Sequence, residues 1–285
     1  MLDKHRFNPS DPTTSKLLLG RVYHLDAKRS ADQLAQCEIL KGALIQGGFE
    51  VETRESHHQV EVAPSTTASP QDYVAVARDF WAQEMHHLRE SKRRRGGRGP
   101  VTLKKRWRAA KRLSKLLQDP EGVKRARARG RIEVALSHKH LHLWRCLANS
   151  DAFGAVIVED DFSLRDASSG KRIVQLLSQH GHSVDLLDLA GGFSREQLGI
   201  SDRGKGDLTL SFLLANTTCG YFISRVAASR LVDVVASNPR LTRLGSDFLI
   251  EVLNEDSFCG TSLLPADLPM IHGSLEGFVD SSIPY

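Results

Sequence analysis

Short apolar runs alternate along this chain with longer stretches in which apolar residues recur every three or four positions. The first pattern suits strands buried on both faces, and the second suits amphipathic helices. Residues 16–25 are dense enough in apolar side chains for a first strand. Residues 26–30 then turn the chain, with Ser30 and Gln33 as a capping-box signal. Leu34, Cys37, Ile39, Leu40, Leu44 and Ile45 predict a helix ended by Gly47-Gly48, and residues 49–53 alternate like a second strand. Strand, helix, strand at this spacing is a βαβ unit, the start of a parallel sheet.

Residues 64–70 (PSTTASP) have the composition of a linker. A helix is predicted over 72–90, with Tyr73, Val76, Phe80 and Met85 on its apolar face, and residues 91–100 break it. A second helix over 103–117 carries Trp107, Ala110, Leu113 and Leu117 at helical spacing. From Arg131 a buried helix runs to about Asn149. It is followed by a strand at 155–158, a helix over 169–180, strands at 183–189 and 208–214, and a small-residue turn running into a strand over 217–224. Helices over 226–235 and 248–253 follow, the latter with Ser246 placed to cap it.

At 285 residues the chain can bury a substantial core. No run approaches the roughly 18–20 apolar residues of a membrane helix. The start, Met1-Leu-Asp-Lys-His-Arg-Phe-Asn, carries no apolar signal segment. Cys37, Cys146, Cys219 and Cys259 are scattered, as expected of buried thiols in a reducing compartment, so a cytoplasmic location is expected.

Charge adds one strong asymmetry. The net charge is +5, yet residues 89–131 hold eighteen Lys and Arg against three Asp and Glu, leaving the rest of the chain mildly acidic. The helix over 103–117 is therefore basic and amphipathic, the type that lies on anionic membrane surfaces. A solvated basic face on an ordinary packing helix is the simpler alternative. Nucleic acid fits less well, because interleaved aromatics and any zinc or RNA-module signature are missing.

The chemistry concentrates where the run Gly154-Ala-Val-Ile-Val meets Glu159-Asp160-Asp161. Acids at the carboxyl end of a buried strand sit where open α/β sheets place their ligand crevice. Hard oxygen ligands there suit magnesium or manganese clamping a diphosphate, whereas a plain acidic surface turn is the bland alternative. On the preceding helix Glu133, Ser137 and His138 are polar residues that require a role. Ser137 and His138 are adjacent and cannot face each other as a nucleophile and its base.

Four blocks, in order, resemble the family 25 glycosyltransferases, the lipooligosaccharide-biosynthesis and procollagen galactosyltransferase group. They are Val22-Tyr23-His24-Leu25-Asp26 with Arg29; Gly130-Arg131-Ile132-Glu133-Val134-Ala135-Leu136-Ser137-His138 with Trp144; Val156-Ile157-Val158-Glu159-Asp160-Asp161; and Thr218-Cys219-Gly220-Tyr221-Phe222-Ile223-Ser224 with Asp247 following. The match covers roughly residues 17–54 and 130–283. His24 stands where that family usually has Asn, and Gly-Arg-Ile-Glu replaces its Gly-Glu.

The resemblance implies an α/β, GT-A type nucleotide-sugar transferase fold, Rossmann-like, with a mostly parallel central sheet and flanking helices. Residues 1–285 would form a single domain, with residues 55–129 as a basic helical insertion. It implies a Mn2+ or Mg2+ ion on Asp161, then Asp160, with His272 as a further ligand. Donor contacts would come from Tyr23, Leu25, Arg29, Glu133, Ser137, His138, Glu159, Asp160 and Gly220, and Asp247 would be the base. The expected activity is inverting transfer of galactose or glucose from a UDP-sugar to a glycan or lipid-linked acceptor, at or near an anionic inner-membrane surface. The alternative is a decayed transferase scaffold that binds nucleic acid or another polyanion through residues 89–131. A phosphodiesterase-like metal hydrolase would want a denser His/Asp set.

Overall fold

The computed structural model describes residues 16–23, 27–56, 68–97, 100–200, 204, 206–255 and 258–272. The expected lead-in, residues 64–67, His24-Leu25-Asp26 and everything from Gly273 onward lie outside the described residues.

Nine strands and seven α-helices are described. In chain order they are β1 (Lys16–Val22), α1 (Ala27–Gln46), β2 (Glu50–Ser56), α2 (Pro70–Arg94), α3 (Leu103–Leu117), α4 (Pro120–Ala148), β3 (Gly154–Glu159) and β4 (Phe162–Leu164). These are followed by α5 (Ser169–His180), β5 (Leu186–Asp188), β6 (Leu208–Leu210), β7 (Gly220–Ser224), α6 (Arg225–Ser237), α7 (Ser246–Glu251), β8 (Ser262–Leu264) and β9 (Met270–His272).

Seven strands form one sheet in the order β2-β1-β3-β7-β5-β8-β6, and β4 pairs with β9 in a small second sheet. β1 is parallel to β2 and β3, as the βαβ reading requires, and β5 is parallel to β8. β7 runs antiparallel to both β3 and β5, and β6 runs antiparallel to β8. Five strands therefore point one way and two the other. This mostly parallel central sheet with flanking helices is compatible with a Rossmann-like fold.

Strand alternation decides which helix each residue meets. Ala155 and Ile157 of β3 pack with Leu141 and Trp144 of α4 and Leu231 of α6, on one face of the sheet. Val156 and Val158 pack with Leu40 and Leu44 of α1 and Leu176 of α5, on the other. The apolar run is buried on both faces because each face has its own helical layer. Gly154 permits the approach of β7: a Cβ there would lie 2.2 Å from the Phe222 ring.

Several boundaries differ from the sequence reading. α1 begins at Ala27, so position 30 lies inside the helix and not ahead of it. α4 begins at Pro120 and is one continuous helix of 29 residues. Pro120 sits in its first turn, where a missing N–H costs nothing. The end of the proposed insertion near residue 129 is thus not a structural break. α2 starts with a full capping box between Ser69 and Asp72, and then packs on α4 and α7. Arg94 of α2 reaches Glu251 of α7 at 2.6 Å, with both side chains buried. The face of α3 is also redistributed. Ala109 is fully buried and Leu113, Leu116 and Leu117 half-buried, whereas Trp107 and Ala110 point to solvent.

Candidate active site

The carboxyl ends of β1, β3 and β5 and the amino end of the reversed β7 lie along one edge of the sheet. This places Tyr23, the Glu159-Asp160-Asp161 turn, Asp188 and the Thr217-Thr218-Cys219 segment on a common edge. It is the ligand edge of an open α/β sheet.

Glu159 continues the α4-facing alternation of β3 and meets His140 of α4. His140 is fully buried, with Nε2 3.0 Å from Glu159 Oε1 and Nδ1 2.9 Å from the Tyr221 hydroxyl. Trp144, one turn further along α4, donates its indole N–H to the same hydroxyl at 3.0 Å. An indole N–H only donates and a carboxylate only accepts. The Tyr221 hydroxyl therefore accepts from Trp144, and the His140 ring bridges that hydroxyl and Glu159 through its two nitrogens, donating from Nε2 to the carboxylate. Burial pushes the Glu159 carboxyl up, but the His140 hydrogen bond and charge, the Thr218 hydroxyl and the His272 charge outweigh it and hold the group below its ordinary value.

The line continues across Thr218. Its hydroxyl lies 2.8 Å from that of Ser246, at the start of α7. The residue ahead of that helix is Gly245, at φ 83°, so α7 has no side-chain cap. Ser246, expected to cap it, is instead spent on Thr218. Asp247 follows. Burial, then the neighbouring Glu159 charge, push its carboxyl up to about 7 against a hydrogen bond from Thr218, with Glu251 and Glu133 adding to the rise. Its Oδ1 is buried without a hydrogen-bond partner. Two neighbouring carboxyls are thus driven apart in acidity, Glu159 by His140 and Asp247 by burial and the Glu159 charge, the arrangement that separates an ionised group from a proton-exchanging one at neutral pH.

The third group of residues comes from strand pairing. β4 follows the acidic turn and pairs antiparallel with β9, setting Phe162 opposite His272. His272 Nδ1 lies 3.4 Å from Asp161 Oδ2, and Asp161 is buried. Cys219 joins them, so that one ligand atom from each of Asp161, Cys219 and His272 lies within 4.8 Å of the other two. Burial and the Asp161 and Glu159 charges push the Cys219 thiol well above its ordinary value. A carboxylate, an imidazole and a sulfur at this spacing can hold a divalent ion. The carboxylate oxygens are the donors that suit manganese or magnesium, whereas the imidazole and sulfur are donors that softer ions such as zinc also take.

The remaining expected residues separate into neighbours and bystanders. Asp160 lies in the same turn, half-buried. Ser137 is buried on the inner face of α4 with no partner for its hydroxyl, while His138 is exposed, as the helical offset between adjacent residues requires. Glu133 is engaged by Gln83 of α2 at 2.7 Å and Arg129 at 2.8 Å, and its charge reaches Asp247. Tyr23 turns its hydroxyl to Glu55, 3.2 Å away, and contributes its carbonyl to the edge. Gly220 is filled tightly from one side, since a Cβ would lie 2.5 Å from Met270 Sδ. A side chain at this position would meet Met270, so packing alone already requires a glycine here. Leu25 lies outside the described residues, as does the Arg29 side chain.

Sequence reasoning missed three groups here. His140 extends the Ser137 stripe at i+3, toward Trp144 at i+7, a spacing that could have identified it. Lys139, buried, donates its ammonium to the Tyr23 carbonyl. Burial lowers its pKa, and the Asp160 and Glu159 charges oppose that. Asp188 at the end of β5 is pushed up to about 6 by burial, although Gly191 N–H at 2.7 Å and Asn216 Nδ2 at 3.2 Å bind it.

Compared with known proteins, the chain matches no protein-family model, and no curated protein matches it significantly.

Proposed function

We propose that this protein is a metal-dependent, inverting glycosyltransferase of the GT-A type, moving galactose or glucose from a UDP-sugar to a glycan or lipid-linked acceptor. The observation that carries this reading is the convergence of Asp161 and His272, 111 positions apart in sequence, on one buried corner at the ligand edge of the sheet, with the raised Asp247 carboxyl near Glu159 of the same acidic turn. The order of the four blocks that resemble family 25 glycosyltransferases supports it as well.

Asp161 and His272 would hold a manganese or magnesium ion, with Asp160 beside them and Cys219 closing the set. When bound, the ion supplies Lewis-acid stabilisation of charge on the departing diphosphate. Lys139, a buried cation among the acids, holds the end of β1 against α4 and so fixes the floor of the nucleotide site. His140, itself locked by Tyr221 and Trp144, fixes Glu159 in its ionised form. Glu159 thus orders the turn and is not itself a proton carrier.

Asp247 would take the acceptor's hydroxyl proton; the residue is partly exposed, although its Oδ1 is itself buried. A base is most effective when its pKa lies near the working pH, and about 7 meets that condition. Direct displacement at the anomeric carbon with Asp247 on the acceptor side inverts its configuration.

Incubating the protein with UDP-galactose or UDP-glucose and manganese tests the reading. Release of UDP is expected with wild type and is expected to fall at least about 100-fold in Asp247→Asn, the usual range for losing a general base. Absence of turnover with every UDP-hexose, with and without acceptor glycans, would count against it.

A further inference from the structure

We propose that α3 docks this protein on an anionic lipid surface, with Leu103 and Trp107 seated among the headgroups and the lysines beside them paired to lipid phosphates. The inference is independent of the catalytic reading above.

α3 is held to the body by one face alone. Ala109 is fully buried against α2 and α4, and Lys105, Leu113, Leu116 and Leu117 are half-buried along the same side. The opposite side carries Leu103, 81% exposed, and Trp107, 66% exposed. These two are four residues apart and share a face, and Ala110 and Ser114 extend the stripe. Large apolar groups left this open on a helix that already has an adequate packing face need another explanation than core packing.

The charge beside them supplies it. α3 contains Lys104, Lys105, Arg106, Arg108, Lys111, Arg112 and Lys115 and no acid. Among the described residues the salt bridge made from this helix is Arg112 to Glu84. On a helical projection Lys104, Arg108, Lys111 and Lys115 fall on the flank next to Trp107, and the Lys111 ammonium lies 5.7 Å from the Trp107 ring centroid. An apolar strip with a central tryptophan, bordered by a strip of cations, matches the headgroup zone of an anionic bilayer, where indoles and lysines both partition. A nucleic-acid surface rewards the cations but gives an exposed leucine nothing to bury against. No helix among the described residues is long and apolar enough to cross a membrane, so such docking would be peripheral.

Co-sedimentation of the full chain with phosphatidylcholine vesicles, with and without phosphatidylglycerol, tests this. The protein is expected to pellet with the anionic vesicles alone, with a blue shift in tryptophan emission. Because both apolar side chains are exposed, the double variant Leu103→Ser, Trp107→Ala should melt at the wild-type temperature yet bind about tenfold or more weakly, given the buried area of such side chains. Each cation near an anionic surface strengthens binding about fivefold, so Lys104→Glu, Lys111→Glu, Lys115→Glu together should weaken it by about 100-fold or more. Failure to pellet with phosphatidylglycerol vesicles, or equal pelleting with neutral ones, would overturn the proposal. So would unchanged binding by the Leu103/Trp107 variant, or tighter binding to a single-stranded oligonucleotide that this variant leaves intact.

Discussion

His140 and Glu159 meet at 3.0 Å where β3 ends, and the other ring nitrogen of His140 is held by Tyr221 on the neighbouring strand. The contact links the helix layer to the acidic turn. It exists because Glu159 and Tyr221 both face α4, one through the alternation of β3 and the other through the antiparallel register that sets Ile157 opposite Tyr221.

Removing that histidine should be costly. His140→Ala leaves a buried carboxylate and a buried phenol without their shared partner, and should lower unfolding free energy by about 2–4 kcal/mol. Urea titration of variant and wild type measures it. A loss under about 0.5 kcal/mol would show that the ring is not what holds Glu159 in place.

Asp247 carries a prediction of opposite sign. Its carboxyl sits at about 7 in the folded chain, whereas an unfolded Asp titrates near 4. Between those values the folded state binds more protons than the unfolded one, so this contribution to stability is present at acid pH and lost as pH rises through about 7. Asp247→Asn cannot ionise. It should therefore be more stable than wild type at pH 8, by about 1–3 kcal/mol, with the gain vanishing near pH 4. The wild-type rate should rise with pH to a plateau above about 7, as expected for a base that must be deprotonated. If Asp247 served only to complement the α7 amino terminus, the asparagine would instead be less stable at pH 8. Denaturation at the two pH values separates these outcomes.

Arg94 and Glu251 tie α2 to the helix that carries Asp247. Arg94→Ala strands a nearly inaccessible carboxylate and should cost about 3–5 kcal/mol, with Arg94→Lys recovering part of it. Thermal unfolding reports the loss. A shift of less than a degree would mean that α2 is an accessory and not a structural wall of the site.

Much of this architecture was legible in the sequence. The βαβ start, the buried strand ending at Glu159-Asp160-Asp161, and the helices at 103–117 and 169–180 follow from period and composition, because each is a local property. What was not legible depends on pairing between distant segments. Ser246 looks like a cap until β7 brings Thr218 to it, and Gly245 at positive φ starts the helix without one. Trp107 reads as core on a helical projection, but the side of α3 that meets α2 and α4 is centred on Ala109, a residue too small to stand out. Cys219 gave no spacing signal, since its partners Asp161 and His272 lie 58 and 53 residues away. His138 drew attention through its place in a motif, yet it is His140, on the inward stripe, that touches the acid.

The central claim is that Asp161 and His272 form a metal-dependent nucleotide site, and calorimetric titration of UDP in the presence and absence of manganese tests it most directly. UDP should bind wild type only with manganese present. Asp161→Ala and His272→Ala should each weaken that binding by about 10–100-fold, the usual cost of losing a ligand or its support. Because His272 is partly exposed and its loss spares the core, the second variant keeps the test valid even if the first unfolds. Equal UDP affinity with and without manganese, or unchanged manganese-dependent binding in His272→Ala, would contradict the account.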